Sequence, residues 1–442
     1  MSFSTVTIEG KKATPDRVYY NGTVINNTLT STQQVDDPAI KFQDQRQIPL
    51  VADSSNYEVQ VQNFSIDGCT LPLFIPQIGA TSPSDVTTTI YSVTVGIFNG
   101  TTKTVSTAYV VWIPENQAPY TIVPTTALPI QSESDYYYGY TYTHFVSLVN
   151  TALRTAWVAA GGGTAGTQCP FLEYNQDSRF FSMNQDSNTC MIPYGTSLPQ
   201  PYNVTSSSMS PSGGTYTAGE YSFVGMNTCL DLLLTNFASI YYSAGTPWVG
   251  TSPVQLLPEV MIDMGLPQNL FTTGGSSQIT AVGKSLRTQP HTSIFQLVNP
   301  FTGLPISSAF YARLPQDYIS TGTTWSPINS IVLATTQIPV RNEACANPVV
   351  FGTSNIGPIS ASGAFQKVLI EASIEALSAD IWRGSILYEP KIEIYSSLDP
   401  SNDGISDIDV SLFWRNRLTN SLIPIHISNQ GSMSFRLLFK RK

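Results

Sequence analysis

The chain has 442 residues and a formal net charge of −9, and charged residues make up only 12% of it, against roughly 25% in typical soluble domains. This balance excludes a protein whose main task is to bind nucleic acid, because neutralising phosphates requires clustered cations. The one basic cluster, Lys440-Arg441-Lys442 at the C-terminus, is interpreted as a frayed, solvated tail rather than a contact with DNA. The length predicts two domains, and insertion of one domain in the other is one arrangement that fits it.

The cysteines and the N-terminal sequence indicate the cellular compartment in which the protein is expected to fold. The five cysteines are widely spaced and form no CxxC pair, which indicates reduced thiols in a cytosolic setting. The N-terminus lacks the apolar segment of a signal peptide, and no run of about 18 apolar residues occurs. We therefore expect neither secretion by a standard signal nor a membrane span.

The first clear strand lies at residues 55–66. The residues before it are polar and are predicted to be irregular, with 1–35 forming an N-terminal arm. The strand alternates apolar and polar residues with a period of two, and the phase shifts by one after Val61. A β-bulge at Gln62-Asn63 would correct this shift. One face then collects five apolar side chains: Tyr57, Val59, Val61, Phe64 and Ile66.

Three further segments follow. The run Leu-Pro-Leu-Phe-Ile-Pro at 71–76 contains prolines that exclude a central strand, so we predict an apolar plug without backbone hydrogen bonds. Residues 90–95 and 108–113 alternate as strands, and the Asn99-Gly100 pair between them indicates a hairpin.

From Pro114 to about Pro327 the chain is rich in turns. Its best predicted helix is residues 143–158, with Thr143 as N-cap and the glycines at 161–163 ending it. A second, less regular candidate helix is 227–241. The first helix rests on apolar residues spaced i, i+3, i+4, i+7, namely Phe145, Leu148, Val149, Ala152, Leu153 and Ala156.

The strand pattern returns at about residue 328. Residues 365–376 fit either a strand or a helix, and we favour the strand; residues 428–432 are predicted to be a turn between the last two strands. The predicted strands of this part are 331–341, 365–376, 392–394, 408–414, 423–427 and 433–439.

Neither β-rich end has enough strands to close a sandwich alone, whereas together they offer the roughly eight strands that a two-sheet jelly roll requires. The sequence therefore predicts a mainly β fold, a single jelly-roll β-sandwich with a large inserted mixed domain. The jelly roll is expected to comprise 36–113 and 328–442, and the inserted domain 114–327.

Several motifs occur along the chain in a fixed order: Tyr19-Tyr20-Asn21, Ile25-Asn26-Asn27-Thr28, Asp37-Pro38-Ala39 with Phe42, Tyr57 to Phe64, Leu71-Pro72-Leu73-Phe74-Ile75-Pro76, Phe413 to Thr419, and Phe435 to Phe439. In this order the chain resembles the penton (minor capsid, vertex) proteins of virophages and Polinton-like viruses. The resemblance covers 20–78 and 330–440, and 136–240 more loosely. The family tends to carry acidic residues where this chain has Gln45 and Gln47, and a shorter run before the Leu-Pro-Leu-Phe motif.

The resemblance implies a structural capsid protein that forms homopentamers at the five-fold vertices of an icosahedral DNA virus. The jelly roll would form the shell layer, and the insert would project or cap the ring. The expected partners are further copies of the chain and the major capsid protein of the same virus, with no direct nucleic-acid binding. The expected location is the capsid vertex of the virion, after synthesis in the host cytoplasm.

Two other interpretations remain open. The inserted domain could be a host-attachment spike or glycan-binding module, for which the tyrosine-rich run Tyr136 to Tyr142 offers stacking surfaces. A major capsid protein with two jelly rolls is the weaker interpretation, since the middle third lacks eight regular strands.

The sequence predicts no catalytic, cofactor-binding or metal-binding residues and no enzyme. None of the HExxH, GxSxG or GxxxxGK[ST] motifs occurs. His144 is interpreted as a capping or packing residue and His426 as solvated on the polar face of a strand. Asp399 to Asp409 imitates the opening of a calcium loop, but position twelve is Val410 instead of the bidentate carboxylate. We interpret this segment as a turn before an exposed strand face, with Asp407 and Asp409 pointing to solvent.

Overall fold

The structure is a computed structural model that describes residues 15–26, 39–69, 71–79, 85–99, 102–115, 123–124, 134–162, 169–186, 220–245, 247–248, 253–262, 293–298, 305–318, 325–341, 345–346, 349–350, 359–360, 366–373, 385–399 and 404–442. The predicted Gly100 of the hairpin turn and the third glycine after the helix, Gly163, lie outside the described residues.

Strands dominate the described chain. In chain order they are β1 (Arg17–Ile25), β2 (Lys41–Gln45), β3 (Tyr57–Cys69), β4 (Thr88–Asn99), β5 (Thr102–Val111), β6 (Phe171–Tyr174), β7 (Phe181–Asp186), β8 (Glu220–Met226), β9 (Ser239–Tyr241), β10 (Pro247–Trp248), β11 (Gln255–Leu256), β12 (Val260–Ile262), β13 (Ser293–Val298), β14 (Pro305–Pro315), β15 (Ile328–Thr335), β16 (Cys345–Ala346), β17 (Val349–Val350), β18 (Ile359–Ser360), β19 (Gln366–Ser373), β20 (Ser385–Tyr388), β21 (Ser396–Ser397), β22 (Asp407–Asn416), β23 (Leu422–Pro424) and β24 (Ile427–Arg441). The α-helices are α1 (Tyr142–Ala159) and α2 (Thr228–Leu233), and short 3-10 helices occur at Ser54–Asn56 and Asp135–Tyr137.

The chain forms two compact units. Unit 1 consists of Met1–Pro72, Ala118–Tyr120 and Pro327–Lys442, and unit 2 of Leu73–Gln117 and Thr121–Ser326. Both ends of the chain therefore contribute to one unit, and the long connection between them builds the other.

Unit 1 is a jelly roll of two antiparallel sheets. The first sheet has the order β1-β24-β3-β20, with β21 also pairing with β3; the second has the order β16-β19-β15-β22-β2, with β23 also pairing with β22. If the eight main strands are lettered B to I along the chain (β1, β2, β3, β15, β19, β20, β22, β24), the sheets read B-I-D-G and C-H-E-F. This is the interleaved order of two Greek keys, so the predicted fold class is confirmed.

The predicted bulge in β3 is also confirmed. Asn63 pairs with Arg436 and Val61 pairs with Leu437, so Gln62 is the extra residue opposite β24. All five apolar side chains assigned to this face are buried, which is why the phase of the sequence shifts at this point: Tyr57, Val59, Val61, Phe64 and Ile66.

The predicted N-terminal arm at 1–35 is wrong over β1. This strand pairs along its whole length with β24, from Arg17 opposite Lys440 to Ile25 opposite Ser432. The polar residues on its outward face concealed the strand, because an edge strand buries only some of its side chains. The C-terminal tail is likewise no frayed segment, since Lys440 and Arg441 are paired in β24 and the Lys442 backbone N–H donates to Asn56 O at 2.9 Å.

A hydrogen bond joins the first strands of the two sheets of unit 1. Tyr20 on β1 is buried and donates through its hydroxyl to Asp44 Oδ2 on β2 at 2.7 Å. Its ring contacts Phe42 and Phe435, at centroid distances of 6.1 and 6.3 Å. Burial, together with the Asp44 acceptor, raises the pKa of Tyr20 well above its usual value, so the hydroxyl remains a donor across the physiological range.

Tyr20→Phe is expected to lower the free energy of unfolding of unit 1 by about 1 kcal/mol, because Asp44 loses its donor while the ring packing is kept. The matched control is Tyr19→Phe, which removes the hydroxyl of a half-exposed neighbour and should change stability very little. Urea unfolding of both variants checks the difference; equal stabilities would contradict it.

Unit 2 contains the hairpin predicted from Asn99-Gly100. β4 and β5 pair from Thr88 opposite Val111 to Asn99 opposite Thr102. The predicted boundary at 113 would place these strands in the jelly roll. They lie instead in a separate sheet of unit 2, with the order β5-β4-β8-β12-β9. Alternation identified the strands but carries no information about the sheet in which they pair.

Helix α1 packs on this sheet and closes the core of unit 2. Its extent matches the prediction, but the N-cap is Thr141, whose hydroxyl accepts from the His144 N–H at 3.1 Å, and not Thr143. Gly161 ends the helix in the left-handed region at φ +93°. The second predicted helix is only α2, because the chain turns at Asn236, which has φ +76°, and continues into β9.

The predicted plug at 71–76 is apolar and buried at Phe74, but it does form backbone hydrogen bonds. Phe74 and Gly139 make an antiparallel bridge, with Leu73 N–H donating to Gly139 O at 2.8 Å and Gly139 N–H to Phe74 O at 3.0 Å. Gly139 is required here because a Cβ would lie 2.2 Å from the Phe74 ring.

In the C-terminal part, the strands at 408–414 and 433–439 are confirmed by β22 and β24, and the strand at 365–376 is confirmed by β19 over residues 366–373, the part of it that the structure describes. The predicted turn at 428–432 is instead an irregularity inside β24, where the pairing moves from Ile427 opposite Cys69 to Ser432 opposite Asp67, so that residues 428–431 lie opposite Gly68 alone. The strand predicted at 392–394 is absent from the structure.

Candidate assembly surfaces

The two histidines named by sequence analysis have different surroundings. His144 Nε2 lies 2.7 Å from Ile113 O, and its ring makes an edge contact with Trp112 at 5.4 Å between centroids. His144 is thus a packing residue, as predicted. His426 is partly buried rather than fully solvated, and it forms an isolated bridge with Ala39.

The structure places the two aspartates of the calcium-like segment differently from the prediction. Asp407 is partly exposed, but Asp409 is only 2% exposed. Its carboxylate accepts from the N–H groups of Thr336 and Gln337 at 2.8 and 2.7 Å, and from the hydroxyls of Thr335 and Thr336. The predicted solvent-facing Asp409 is wrong, because β22 is buried on both faces and its alternation does not mark an exposed side.

The Asp409 carboxylate stabilises the turn that follows β15 by accepting these hydrogen bonds. The hydrogen bonds account for its buried position without a bound ion. Positions 400–403 of the segment lie outside the described residues. Where the structure describes the chain, no three His, Cys, Asp or Glu side chains group as metal ligands would. The described helices include none with the length and apolar character of a membrane span.

The tyrosine run proposed for sugar stacking belongs to the core of unit 2. Tyr136, Tyr137 and Tyr138 are all buried. The Trp112 indole N–H donates to Tyr136 O at 2.8 Å, and the Tyr137 hydroxyl donates to Val86 O at 3.0 Å. The prediction of an exposed stacking surface is wrong for these three rings, because sequence does not distinguish a buried aromatic from an exposed one. Tyr140 and Tyr142 are half-buried, and the Tyr142 ring packs against other aromatic rings: Tyr174, Phe181 and Trp325.

Exposed apolar side chains are the features that sequence analysis missed. On unit 1, five of them lie at the two opposite edges of the first sheet, Tyr19 and Ile25 on β1 and Leu387, Ile392 and Ile394 on and after β20, whereas Ile48 and Leu418 lie outside the strands. On unit 2, alternate residues of the edge strand β5 and its continuation face outward: Tyr109, Val111 and Ile113. Apolar groups collected at sheet edges are typical of surfaces that another chain covers.

Comparisons with known proteins identify the chain's relatives. The sequence model of the family described as Sputnik minor capsid protein V18/19 matches residues 18–441. The chain belongs to this family. It is therefore a minor capsid protein and a component of the virion, which confirms the resemblance found in the sequence.

Relatives of this minor capsid protein support the same fold. The uncharacterised protein V18 of Sputnik virophage is 36% identical over 160 residues, which are 36% of this chain and 91% of V18. A chain in the 3.5 Å cryo-EM structure of the Sputnik virophage has a TM-score of 0.63 at 20% identity, over 97% of this chain and 98% of that one. The selenomethionine-labelled mavirus penton protein has a TM-score of 0.53 at 14% identity, over 96% and 100% of the two chains.

One face of the second sheet in this minor capsid protein carries a charged network beside a group of buried apolar side chains. Arg415 Nε and Nη2 donate to the two carboxylate oxygens of Glu371, at 2.7 and 2.9 Å, and the Ser330 hydroxyl donates to the same carboxylate. Burial acts to raise the pKa of Glu371, but the Arg415 guanidinium and the Ser330 hydroxyl outweigh it and hold the pKa below its usual value. A buried cluster accompanies them: Val332, Ala334, Val368, Phe413 and Leu422.

Proposed function

We propose that this chain forms the five-fold vertices of an icosahedral DNA virus, as a homopentamer in contact with the major capsid protein. The observation that carries the proposal is the fold similarity to a penton protein over nearly the whole of both chains, in a chain of a minor capsid family. In this proposal unit 1 builds the shell layer and unit 2 is a domain inserted between β3 and β15.

The physical basis is the burial of surface where neighbouring subunits, related by a five-fold axis, contact each other through their sides (here called flanks). A ring of this kind uses heterologous contacts, in which one surface of a subunit meets a different surface of the next. Charged residues make up only 12% of the chain, so few charges need to be desolvated when flanks meet. Unit 1 offers two different flanks, because the two edges of its first sheet carry different side chains.

The role proposed is structural and involves no enzymatic step, no cofactor and no direct contact with the genome. The chain would be made in the host cytoplasm and carried into the virion by its contacts with other capsid subunits. The burial of Tyr136, Tyr137 and Tyr138 removes these three rings from the stacking surface on which a glycan-binding role of the inserted domain was based.

The native mass of the purified protein tests the proposal. Five copies of a 48.1 kDa chain give about 240 kDa, which native mass spectrometry separates clearly from a trimer. Electron microscopy of virus particles carrying a tagged copy should then place the tag at the vertices. A trimeric mass, or a tag on the facets, would contradict the assignment.

A further inference from the structure

One exposed segment of unit 1 has the sequence of a strand but no strand partner. Residues 391–395, Lys-Ile-Glu-Ile-Tyr, alternate charged and apolar side chains with the period of two. In the structure they form no strand and belong to no described ladder, and Ile392 and Ile394 are 75% and 55% exposed. Places where a clear local pattern disagrees with the fold are often places where function decides the structure.

This segment lies at the edge of the first sheet, between two short strands. It connects β20, which pairs with β3 at Phe64 to Asp67, and β21, which pairs with β3 at Glu58 and Val59. The segment therefore leaves the edge of the first sheet between two short paired stretches. Leu387, on β20, is also 59% exposed, so three large apolar side chains project at this edge.

The opposite edge of the same sheet is a complementary surface. β1 is nine residues long, and within the described chain its strand partner is β24 alone. Its other side offers backbone N–H and C=O groups, and Tyr19 and Ile25 are about half exposed. Such an edge binds an added strand through main-chain hydrogen bonds, with alternate side chains giving specificity.

The charges of the two edges have opposite signs. Residues 389–395 carry two acids and one base, Glu389, Lys391 and Glu393. The charged residue of β1 is Arg17, and the guanidinium of Arg436 on the neighbouring strand β24 lies 5.9 Å from the centre of the exposed Tyr19 ring, so the β1 edge is positively charged.

We propose that residues 391–395 of one copy add as a strand to the β1 edge of a second copy of this chain. The inference rests on the proposed function, since it supplies the heterologous contact that a ring of copies requires. The occupant is another copy because both halves of the contact are present on every chain and lie at opposite edges of one sheet. A contact between opposite edges can repeat from each copy to the next. The copies form a closed ring when the rotation between neighbours divides a full turn evenly.

Site-directed cross-linking of the full-length protein tests the contact. Ile394→Cys combined with Tyr19→Cys in one variant, or with Thr23→Cys in another, should give covalent links between copies when a short bismaleimide is added to the assembled protein. The two pairings and the length of the linker allow for either register. Mass spectrometry of the linked peptides distinguishes these links from reactions of the native cysteines.

A second variant measures the contribution of the apolar side chains. Ile392→Ser with Ile394→Ser should weaken self-association by about tenfold or more, because two exposed side chains would no longer be buried on assembly. Its thermal unfolding should match that of the unmodified protein. The control is Leu418→Ser, which changes a side chain of unit 1 that is 80% exposed in the turn after β22, and it should leave self-association unchanged.

The outcomes separate this inference from the pentamer proposal. An assembly of about 240 kDa without the expected links, or with unchanged association of the serine variant, overturns the strand addition and leaves the pentamer standing. Links within an assembly of another copy number support the strand addition and contradict the pentamer. A chain that stays monomeric, or that forms these links only to the major capsid protein, overturns the inference.

Discussion

Phe74→Ala is expected to lower the free energy of unfolding of unit 2 by roughly 3–5 kcal/mol, the range found when a buried Phe is truncated. Phe74 is only 2% exposed, and its ring makes edge contacts with Trp112, Phe145 and Trp325 at centroid distances of 5.6, 5.2 and 5.7 Å. Removing the ring leaves a cavity that these rigid neighbours cannot fill. The bridge to Gly139 also fixes the backbone, which limits relaxation.

Urea unfolding followed by tryptophan fluorescence checks this prediction, since two of the neighbouring rings are indoles. The matched control is Tyr318→Ala, which removes an aromatic ring of unit 2 that is 72% exposed and should cost far less. A loss in the Phe74 variant no greater than in the control would show that the plug is not part of the core.

Asp409→Ala is expected to destabilise unit 1 by about 3 kcal/mol. The substitution leaves the N–H groups of Thr336 and Gln337 and the hydroxyl of buried Thr335 without their acceptor. Removing one partner from a buried, charge-assisted group of hydrogen bonds costs the full desolvation of those left behind. Asp409→Asn should also destabilise, because its amide nitrogen would face donors where the carboxylate has an acceptor.

The control for this prediction is Asp407→Ala, two residues earlier on the same strand, whose side chain is only partly buried. It changes the net charge by the same amount and should cost much less. Urea unfolding of the three variants gives the comparison. Equal losses at the two positions would mean that charge, and not the buried hydrogen bonds, accounts for the effect.

The predicted strands at both ends of the chain led to the correct fold class, because alternation of period two reports a buried face wherever it occurs. The set of strands was only partly correct, since β1, β2 and β20 belong to the jelly roll in place of β4 and β5. The bulge at Gln62 and the extent of α1 were predicted for the same reason, because both follow from the spacing of apolar residues that are close together in the sequence. The strand at 392–394 was predicted by the same rule and is absent, since a strand also needs a partner that local spacing cannot supply.

The sequence by itself determined the helix α1, the strands β3, β4, β5, β19, β22 and β24, the buried face of β3 and the family that the motifs resemble, because these properties depend on residues close together in the chain. Only the tertiary structure decided that β4 and β5 pair in unit 2, that Asp409 and Tyr136 to Tyr138 are buried, and that Ile392 and Ile394 are exposed. The physical reason is that pairing and burial depend on groups far apart in the sequence. The hydrogen-bond donors of Asp409 lie more than seventy residues away from it.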